Sequence, residues 1–411
     1  MPDRIERASV VVSSPGRNFV TLVVETSDGV IGVGDGTLNG RELAVAAYLE
    51  SHVIPILVGR DASRIEDTWQ YLYRGGYWRR GPVTLSAIAA VDMALWDILG
   101  KRTGLPVYKL LGGASRDGLL AYAHAGGQTY DALAESIRAA TTVGYRAVRV
   151  QAGVPGLGAV YGVSPSDSQN GSRYDYEPAT AGGTPHEEVW DSEAYIRTIP
   201  DILAQVRSEF GKELLVLHDV HNRLRPIEAA KLAQRLEPYD LFWLEDCTPI
   251  ENQEVLRMVR AKSVTPLAIG ETSNTVWELR SLISEQLIDY IRASATHFGG
   301  ITPLRKLMDF AAQFQIRSGF HGPSDVSPVG LAAELHLGLA INNFGIQELM
   351  GHTAETRHVF RQSMQFRDGL VHPGEEPGLG VTFDAEAAAL FPYKRAYLPV
   401  NRLHDGTMHD W

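Results

Sequence analysis

The chain has 411 residues, 44% hydrophobic and 21% charged, which is the composition of a globular protein large enough for two or three domains. Its formal net charge of −11, without a lysine- or arginine-rich stripe, disfavours nucleic-acid binding. Cys247 is the single cysteine, so no intrachain disulfide can form and we expect a reducing, cytoplasmic location. The N-terminus has no signal-peptide pattern and no stretch approaches the ~18 apolar residues of a membrane span, so we expect no membrane association.

The beginning of the chain has the alternation of β-strands. Residues 4–35 alternate apolar and polar positions around a Ser-Asp-Gly turn, which predicts a β-hairpin that ends in a glycine-rich loop. Three glycines, Gly32, Gly34 and Gly36, allow the alternative of a nucleotide-binding loop. Their spacing is not G-x-G-x-x-G, and they close a hairpin instead of opening a βαβ unit, so the hairpin is the favoured interpretation.

The next segment has a helical pattern. Apolar residues recur every three or four positions within 41–111, most clearly in the stretch SAIAAVDMALWDILGKRTG. Gly100 and Gly104 are both placed to end that helix. A hairpin followed by helices predicts a small α+β capping domain over residues 1–115.

From residue 116 onward, short apolar runs alternate with amphipathic segments, which is the pattern of repeated strand–helix units. Eight such runs cover residues 119–124, 145–151, 213–221, 241–245, 266–271, 288–292, 316–321 and 346–350. Eight strands with helices between them predict an α/β fold, a (β/α)₈ or TIM-type barrel, over residues 116–375.

Two segments depart from the barrel pattern. Residues 163–185 are polar and rich in glycine, serine and proline, so we predict a long lid loop near 152–190, between the second and third strands. After residue 372 the strand–helix pattern ends. We expect residues 376–411 to form a tail that returns to the capping domain.

Polar residues close the eight predicted strands: His124, Arg149, Asp219, Glu245, Glu271, Arg292, His321 and Glu348. Active sites of such barrels lie at this end of the strands. Asp219, Glu245 and Glu271 are spaced 26 residues apart on successive strands, so their carboxylates converge and repel one another unless a cation lies among them. An all-carboxylate set selects a hard ion, Mg²⁺ or Mn²⁺. One acid alone at such a position is more simply interpreted as the N-cap of the next helix. Three acids at even spacing favour a metal site.

Two further residues near strand ends are candidates for chemistry. Residues two apart share a strand face, so His221 is predicted to point into the site with Asp219, while His218 points toward the helices. His221 is a candidate for proton transfer, with a structural histidine as the alternative. Arg149 lies on the site face of its strand, with a structural ion pair as the alternative.

The segment AIAAVDMALWDILGKRTGLPVYKLLGG (87–113), the three acids and PGLGV (377–381) resemble the mandelate racemase-like branch of the enolase superfamily over essentially the whole chain. The resemblance implies a capped barrel in which a base and Mg²⁺ act on a carbon acid through an enediolate. The usual bases are missing, because the second strand has Arg149-Val150-Gln151 in place of Lys-x-Lys. Ser294 stands where the racemase pattern has an aspartate that pairs with a histidine.

The remaining motifs are similar to those of the D-mannonate dehydratase subgroup: VPGLGAVYG after Arg149, then HDVHNR, HFGGIT, HGPSDVSP and the ending DGTMHDW. This resemblance implies a hydro-lyase with one Mg²⁺ per chain that converts D-mannonate to 2-keto-3-deoxy-D-gluconate. Arg149 and Tyr161 would then remove the C2 proton, and His221 would protonate the departing C3 hydroxyl. The resemblance also implies that Asp219, Glu245 and Glu271 hold the metal. The implied substrate-binding residues are Asn39, His124, Arg292, His321, Asp325 and Glu348.

A tyrosine base requires a physical explanation. A phenol with a pKa near 10 is mostly protonated at pH 7, and a shift of about three units needs ~4 kcal/mol of preferential stabilisation of the phenolate. The permanently charged guanidinium of Arg149 is a source of part of that stabilisation. Without the resemblance, Tyr161 is more simply interpreted as an exposed aromatic residue of the lid.

Three alternatives to a D-mannonate dehydratase stay open. The first is a D-gluconate dehydratase or a family member of low activity. The second is a metal-dependent hydrolase on the same barrel, which would need a His-x-His on the first strand, where the chain offers His124 alone. The third is a sugar-acid-binding regulator, similar to relatives labelled starvation-sensing proteins. For the enzyme we expect a small aldonic acid as partner and a homo-oligomeric assembly.

Overall fold

The computed structural model describes residues 3–158, 160–161, 163, 177–178, 185 and 187–410. The strands are β1 (Ile5–Ser13), β2 (Phe19–Thr26), β3 (Ile31–Asp35), β4 (Leu119–Gly127), β5 (Ala147–Ala152), β6 (Glu177–Pro178), β7 (Glu187–Val189), β8 (Leu215–Asp219), β9 (Trp243–Glu245), β10 (Leu267–Ile269), β11 (Tyr290–Ile291), β12 (Arg317–Phe320), β13 (Phe344–Glu348), β14 (Phe360–Gln362), β15 (Gln365–Arg367), β16 (Leu370–His372), β17 (Val381–Phe383), β18 (Ala396–Tyr397), β19 (Val400–Arg402) and β20 (Met408–His409).

The α-helices are α1 (Glu42–Tyr48), α2 (Ile54–Leu57), α3 (Ile65–Gly75), α4 (Pro82–Thr103), α5 (Val107–Leu110), α6 (Tyr130–Val143), α7 (Ser192–Phe210), α8 (Pro226–Leu236), α9 (Leu256–Lys262), α10 (Val276–Ser284), α11 (Ile301–Ala312), α12 (Pro328–Ala340), α13 (Ala354–Val359) and α14 (Ala385–Ala389). A π-helical turn, Leu49–Val53, joins α1 to α2. Short 3₁₀ turns cover Glu237–Tyr239 and Gln253–Val255.

The predicted (β/α)₈ barrel is confirmed. Strands β4, β5 and β8 to β13 follow one another in one sheet, and β13 pairs with β4 to close it. Each of these strands overlaps one of the eight predicted apolar runs. The neighbouring barrel pairs β4–β5, β5–β8, β8–β9 and β9–β10 are parallel, as strand–helix–strand units require. Their carboxyl ends therefore lie at one end of the barrel.

The N-terminal α+β domain begins with an antiparallel sheet in the order β1-β2-β3. The predicted hairpin is confirmed as β2–β3, and its turn is closed by Gly29, which has φ 82° and donates its N–H to the Thr26 carbonyl at 2.8 Å. The predicted glycine-rich loop is wrong for Gly32 and Gly34, which lie within β3 and pair with β2. The sheet and the following helices share one hydrophobic core, in which Leu22, Val45 and Val91 are fully buried. Burial of this kind stabilises both the strands and the helices that supply it.

Close backbone contacts explain the glycines of the first domain. A Cβ atom on Gly34 would lie 1.8 Å from the Ala90 carbonyl oxygen of α4, so glycine lets β3 lie directly against that helix. This close contact explains a glycine at that position, so the alternative of a nucleotide-binding loop is not needed. Gly104, at φ 66°, ends α4, whereas Gly100 lies inside the helix and faces Gly378, whose Cα would be 2.5 Å from an added Cβ.

Helix α4 is long and apolar enough to cross a membrane by length and composition, with a mean hydropathy of 1.6 over 18 residues. The prediction that no stretch approaches that length is therefore wrong for this helix. The helix lies in the core instead, since 78% of that window is buried inside the protein. Its buried acids accept backbone hydrogen bonds, Asp92 from Thr302 at 3.0 Å and Asp97 from Leu379 at 2.8 Å.

The chain forms two compact units. One contains Met1–Leu120, Gly270–Arg280 and Arg292–Lys394, and the other contains Ala121–Ile269, Ser281–Ile291 and Arg395–Trp411. In the first unit the tail meets N-terminal elements, where Ser14 donates its N–H to the Phe391 carbonyl at 2.8 Å. In the second unit β19 runs parallel to β7. The domain boundaries predicted at 115 and 375 stay a prediction.

The polar part of the predicted lid, residues 163–185, lies mostly outside the described residues. Trp411, at the end of the DGTMHDW motif, is also outside them. Val163, Glu177–Pro178 and Pro185 are the described positions within that lid range. The lid remains a prediction from the polar composition of its sequence.

Candidate active site

In the second unit, two buried acids lie at the carboxyl ends of neighbouring strands, and an arginine from within the next strand contacts both; the prediction that Arg149 closes its strand is wrong, because β5 continues to Ala152. Asp219 ends β8 and pairs in register with Glu245, which ends β9. Arg149 comes from β5, the strand on the other side of β8, and its Nη1 lies 3.0 Å from Asp219 Oδ2 and 3.6 Å from Glu245 Oε1. All three side chains are buried. An unbalanced charge would be costly there, so the guanidinium is a counter-charge for both acids.

Tyr161 and His221 form the closest aromatic contact of this group. Their ring centroids are 3.7 Å apart and the rings are inclined by 20°. The guanidinium carbon of Arg149 lies 5.1 Å from the centre of the Tyr161 ring. The His221 N–H donates to Asp219 Oδ1 at 2.7 Å, which fixes the histidine backbone at the end of β8. The predicted tyrosine, histidine and arginine are therefore neighbours.

His221 lies beside Tyr161 and Asp219, but the prediction that it shares a strand face with Asp219 is wrong. Strand β8 ends at Asp219, and His221 has a left-handed φ of 59°, so strand alternation no longer applies at that position. His221 is instead oriented by a turn that hydrogen-bonds back to β9, with the Val220 N–H on the Glu245 carbonyl at 3.0 Å.

His218 faces the helices, as predicted. Its Nε2 lies 2.8 Å from the hydroxyl of Tyr195 on α7, and its Nδ1 lies 2.8 Å from the Val150 carbonyl. The carbonyl can only accept, so Nδ1 carries the proton and Nε2 accepts from the tyrosine. Desolvation lowers the pKa of His218 to about 4, so this imidazole is neutral and structural.

His124 joins the same group from within the first barrel strand, which continues to Gly127 instead of ending at the histidine as predicted. Its Nδ1 lies 3.1 Å from Nη2 of Arg149 and accepts the hydrogen bond, because a guanidinium only donates. The His124 ring stacks on Tyr122 at a centroid distance of 5.9 Å. The arginine thus connects the substrate-binding candidate His124 to both acids.

In the first unit, a second group surrounds Arg292, which is fully buried. Its Nη2 lies 2.8 Å from Glu348 Oε2 and 3.7 Å from Glu271 Oε2. His321 Nε2 lies 3.4 Å from the same oxygen of Glu271. Nη1 of Arg292 donates to two carbonyls of β12, at 2.8 and 2.9 Å. Four predicted site residues are therefore brought together here in an ion-paired network.

Asn39 and Asp325 form a separate pair in the first unit. The amide nitrogen of Asn39 donates to Asp325 Oδ2 at 2.8 Å. Both come from loops, one after β3 and the other between β12 and α12. A polar loop pair of this kind suits hydrogen bonding to hydroxyl groups of a ligand.

A buried glutamate, Glu334 on α12, was missed by sequence reasoning. Its Oε1 accepts from the Ser294 hydroxyl at 2.9 Å and from the Ala295 N–H at 3.1 Å, and its Oε2 lies 3.1 Å from the amide nitrogen of Gln347. Desolvation raises the pKa of Glu334 to about 8, so it is protonated at neutral pH. Ser294, which replaces the aspartate of the racemase pattern, is thus a partner of a neutral acid.

The variant Glu334→Gln is expected to reduce the decline of stability with increasing pH. The folded state holds the Glu334 proton up to about pH 8, whereas the unfolded chain loses it near 4.5, so this group lowers the free energy of unfolding as pH rises between those values. The loss is about 3–5 kcal/mol by pH 8.5, and glutamine avoids it because it does not ionise. Urea unfolding between pH 5 and 8.5 measures the difference.

Rotation of the Gln347 amide lets its oxygen accept from the new amide at position 334 but gives up its hydrogen bond to the Glu348 carbonyl. That cost does not depend on pH, so it lowers stability without changing the slope of the pH curve. Glu386→Gln, at an exposed position of α14, is the control and should leave the wild-type pH dependence unchanged. Parallel pH curves for wild type and Glu334→Gln would contradict the assignment of a neutral buried acid.

Sequence reasoning also missed Arg223, Trp190 and Asp246 in the second unit. Arg223 lies over the rings of both Tyr161 and Trp190, at 5.9 and 5.1 Å from their centres. Asp246 is a buried acid directly after Glu245. The HDVHNR motif contained a signal for Arg223, since it lies two residues after His221. Trp190 is the last residue of the predicted lid range, 152–190, and no periodic pattern marked it.

The fold and these side chains define a (β/α)₈-barrel enzyme whose charged residues lie at the carboxyl ends of the strands. Residues 132–388 match the family described as enolase C-terminal domain-like, and residues 6–112 match the mandelate racemase/muconate lactonizing enzyme N-terminal domain. The chain therefore belongs to the enolase superfamily, in its mandelate racemase-like branch. The family resemblance stated from the sequence motifs is confirmed.

Similar proteins support the reaction class. A D-galactonate dehydratase family member of Pseudarthrobacter chlorophenolicus is 64% identical over 99% of this chain and 100% of its own length. A D-mannonate dehydratase of Sphingomonas sp. is 55% identical over the full length of both chains. The crystal structure of an enolase from Pantoea ananatis with bound D-gluconate and Mg superposes with a TM-score of 0.90 at 37% identity, over 99% of both chains. The predicted class of hydro-lyase is confirmed.

Proposed function

We propose that this protein is a Mg²⁺-dependent dehydratase of sugar acids and that its substrate is D-mannonate, which it converts to 2-keto-3-deoxy-D-gluconate and water. The observation that carries the proposal is the stack of Tyr161 on His221 beside Arg149, because it brings together a base, an acid and a fixed cation. Relatives named D-mannonate dehydratase, at 54–55% identity, support the choice of substrate.

The proposed metal ligands are Asp219, Glu245 and Glu271. Asp219 and Glu245 are buried and in register, and Glu271 follows the next strand of the sheet, β10, by two residues. Three carboxylates provide the hard oxygen donors that Mg²⁺ prefers. The Mg bound in the Pantoea ananatis structure supports the same choice. When bound, Mg²⁺ supplies a Lewis acid that stabilises negative charge on the substrate carboxylate.

The residues of the chain move the protons. Tyr161, as the phenolate, accepts the C2 proton, and the electron pair of that bond moves toward the carboxylate. The pair then forms the C2–C3 double bond as the C3–oxygen bond breaks, and His221, as the imidazolium, donates the proton that makes the leaving group water. The enol gains a proton at C3 and loses its hydroxyl proton, which gives the 2-keto acid.

The stack of Tyr161 and His221 also suggests the stereochemistry of the elimination. With ring centroids 3.7 Å apart, the base and the acid approach the substrate from the same side. We therefore propose a syn elimination, in which the C2 proton and the C3 hydroxyl leave from one face of the sugar chain.

The proposed substrate-binding residues are His124 in the second unit and five in the first: Asn39, Arg292, His321, Asp325 and Glu348. Two donors fix the carboxylate of Glu348: the guanidinium of Arg292 and the Gly322 N–H, which donates at 3.0 Å. Fixed donors and acceptors of this kind orient hydroxyl groups at little entropic cost.

The test of the proposed function is keto-acid formation from six-carbon aldonic acids. We expect turnover of D-mannonate with added Mg²⁺, loss of turnover in EDTA, and recovery when Mg²⁺ is restored in excess. A coupled colorimetric assay for the 2-keto acid measures all three. Turnover that survives EDTA would contradict the metal site, and the absence of turnover on every aldonic acid would contradict a dehydratase. Mn²⁺ in place of Mg²⁺ tests whether the site accepts either hard ion.

D-Gluconate is the second candidate substrate, because the Pantoea ananatis structure contains that acid. The two acids differ in configuration at C2 alone, so kcat/KM measured on both separates the candidates. A higher kcat/KM on D-gluconate would reverse the proposed preference. Binding of either acid by calorimetry without turnover would favour the alternative of a sugar-acid-binding regulator.

A further inference from the structure

Arg223 is a buried cation that none of the proposed proton transfers uses. It is 4% exposed and follows the end of β8 by four residues. Its guanidinium carbon lies 5.1 Å from the centre of the Trp190 ring and 5.9 Å from the centre of the Tyr161 ring. Aromatic faces attract cations, and a buried guanidinium is costly without such compensation. The site therefore maintains a second positive charge beside the proposed base, in addition to Arg149.

The backbone before Arg223 is held in an uncommon conformation. His221 and Asn222 have φ values of 59° and 62°, and two successive non-glycine residues in the left-handed region are uncommon. The turn is held by the residue that follows β9, because the Asn222 N–H donates to the Asp246 carbonyl at 2.6 Å. As a result both His221 and Arg223 reach the ring of Tyr161.

The C-terminal hairpin, β19–β20, holds both Arg223 and its aromatic partner. Nε2 of His409 lies 2.8 Å from the Arg223 carbonyl and donates to it, and the His409 ring lies parallel to Trp190 within 13° at 6.3 Å. Strand β19 pairs with β7, and the Trp190 N–H donates to the Arg402 carbonyl at 2.8 Å. The end of the chain is therefore connected to the candidate site by two hydrogen bonds and a ring contact.

We propose that Arg223 is a positioning residue for the dehydration, held by the C-terminal hairpin through His409, and that its charge supports proton abstraction by Tyr161. Arg149 and Arg223 lie 5.1 and 5.9 Å from the centre of the same ring. Two fixed cations favour the negative charge that the Tyr161 oxygen carries when it acts as a base. This inference rests on the proposed function, in which Tyr161 is the base.

The test compares Arg223→Met with Arg223→Lys. Methionine keeps an unbranched apolar chain, so we expect kcat for dehydration to fall by about 10- to 100-fold, as the loss of one charge ~6 Å away predicts. KM should stay near the wild-type value, since Arg223 does not contact substrate in this proposal. Lysine restores the charge and should recover part of kcat. Arg225→Met, at an exposed position two residues further on, is the matched control and should retain wild-type kinetics.

A second variant keeps the inference testable if Arg223→Met fails to fold. His409→Phe keeps a ring against Trp190 but removes the hydrogen bond to the Arg223 carbonyl, so kcat should fall by about 2- to 10-fold with KM unchanged. Wild-type kcat in both Arg223→Met and His409→Phe would overturn the inference. It would also be overturned if kcat were as low in Arg223→Lys as in Arg223→Met. A wild-type protein that dehydrates no aldonic acid would instead overturn the proposed function, so the two failures are distinct.

Discussion

Replacing Tyr161 with phenylalanine is expected to lower kcat for dehydration by about 10³-fold, because it removes the oxygen that accepts the C2 proton. Phenylalanine keeps the ring that stacks on His221 and lies under Arg149, so the packing of the site should be preserved. KM and the affinity for Mg²⁺ should change little. Steady-state kinetics and calorimetry of metal binding measure these quantities.

The same variant should also stop exchange of the C2 proton with solvent. In D₂O the wild type is expected to exchange the C2 hydrogen of its substrate, and Tyr161→Phe should not, because no base remains to remove it. Proton NMR of the recovered substrate gives the result directly. Tyr77→Phe, which removes the hydroxyl of a residue that is 82% exposed, is the control. Full exchange in Tyr161→Phe would show that another group is the base.

The barrel strands and the acids at their ends could be predicted because each depends on local pattern. A buried parallel strand must be a short apolar run, and the first polar residue after it marks the carboxyl end. Asp219 and Glu245 obey that rule as register partners on neighbouring strands. Helix α4 illustrates the limit, since its composition alone does not distinguish a core helix from a membrane span and tertiary packing decides.

Residues whose role depends on contacts distant in sequence could not be predicted. Desolvation raises the pKa of Glu334, although hydrogen bonds from Gln347, Ser294 and Ala295 act in the opposite direction, and periodicity on α12 indicates neither that burial nor those partners. Arg223 is similar, because its position depends on contacts with Trp190 and with His409, which lies 186 residues further along the chain. The turn at His221 depends on the Val220 hydrogen bond to β9 as well as on the local bond from the His221 N–H to Asp219.

Replacing His221 with asparagine is expected to separate the two proton transfers. Dehydration should fall by about 10³-fold, because an amide does not protonate the departing hydroxyl. Exchange of the C2 proton in D₂O should continue, since Tyr161 and Arg149 remain in place. Asparagine is the substitution of choice because it tolerates the left-handed backbone that His221 adopts at φ 59°.

The combination of outcomes distinguishes an acid from a merely structural histidine. A structural role predicts that exchange and dehydration fall together in His221→Asn, as both depend on an intact site. A role as the acid predicts that dehydration alone falls in His221→Asn. Tyr161→Phe, by contrast, should lose both dehydration and exchange of the C2 proton. His358→Asn, at an exposed position of α13, controls for the loss of an imidazole elsewhere. Because the two rings are only 3.7 Å apart, a disturbance of packing would affect both reactions, which makes retained exchange a strict criterion.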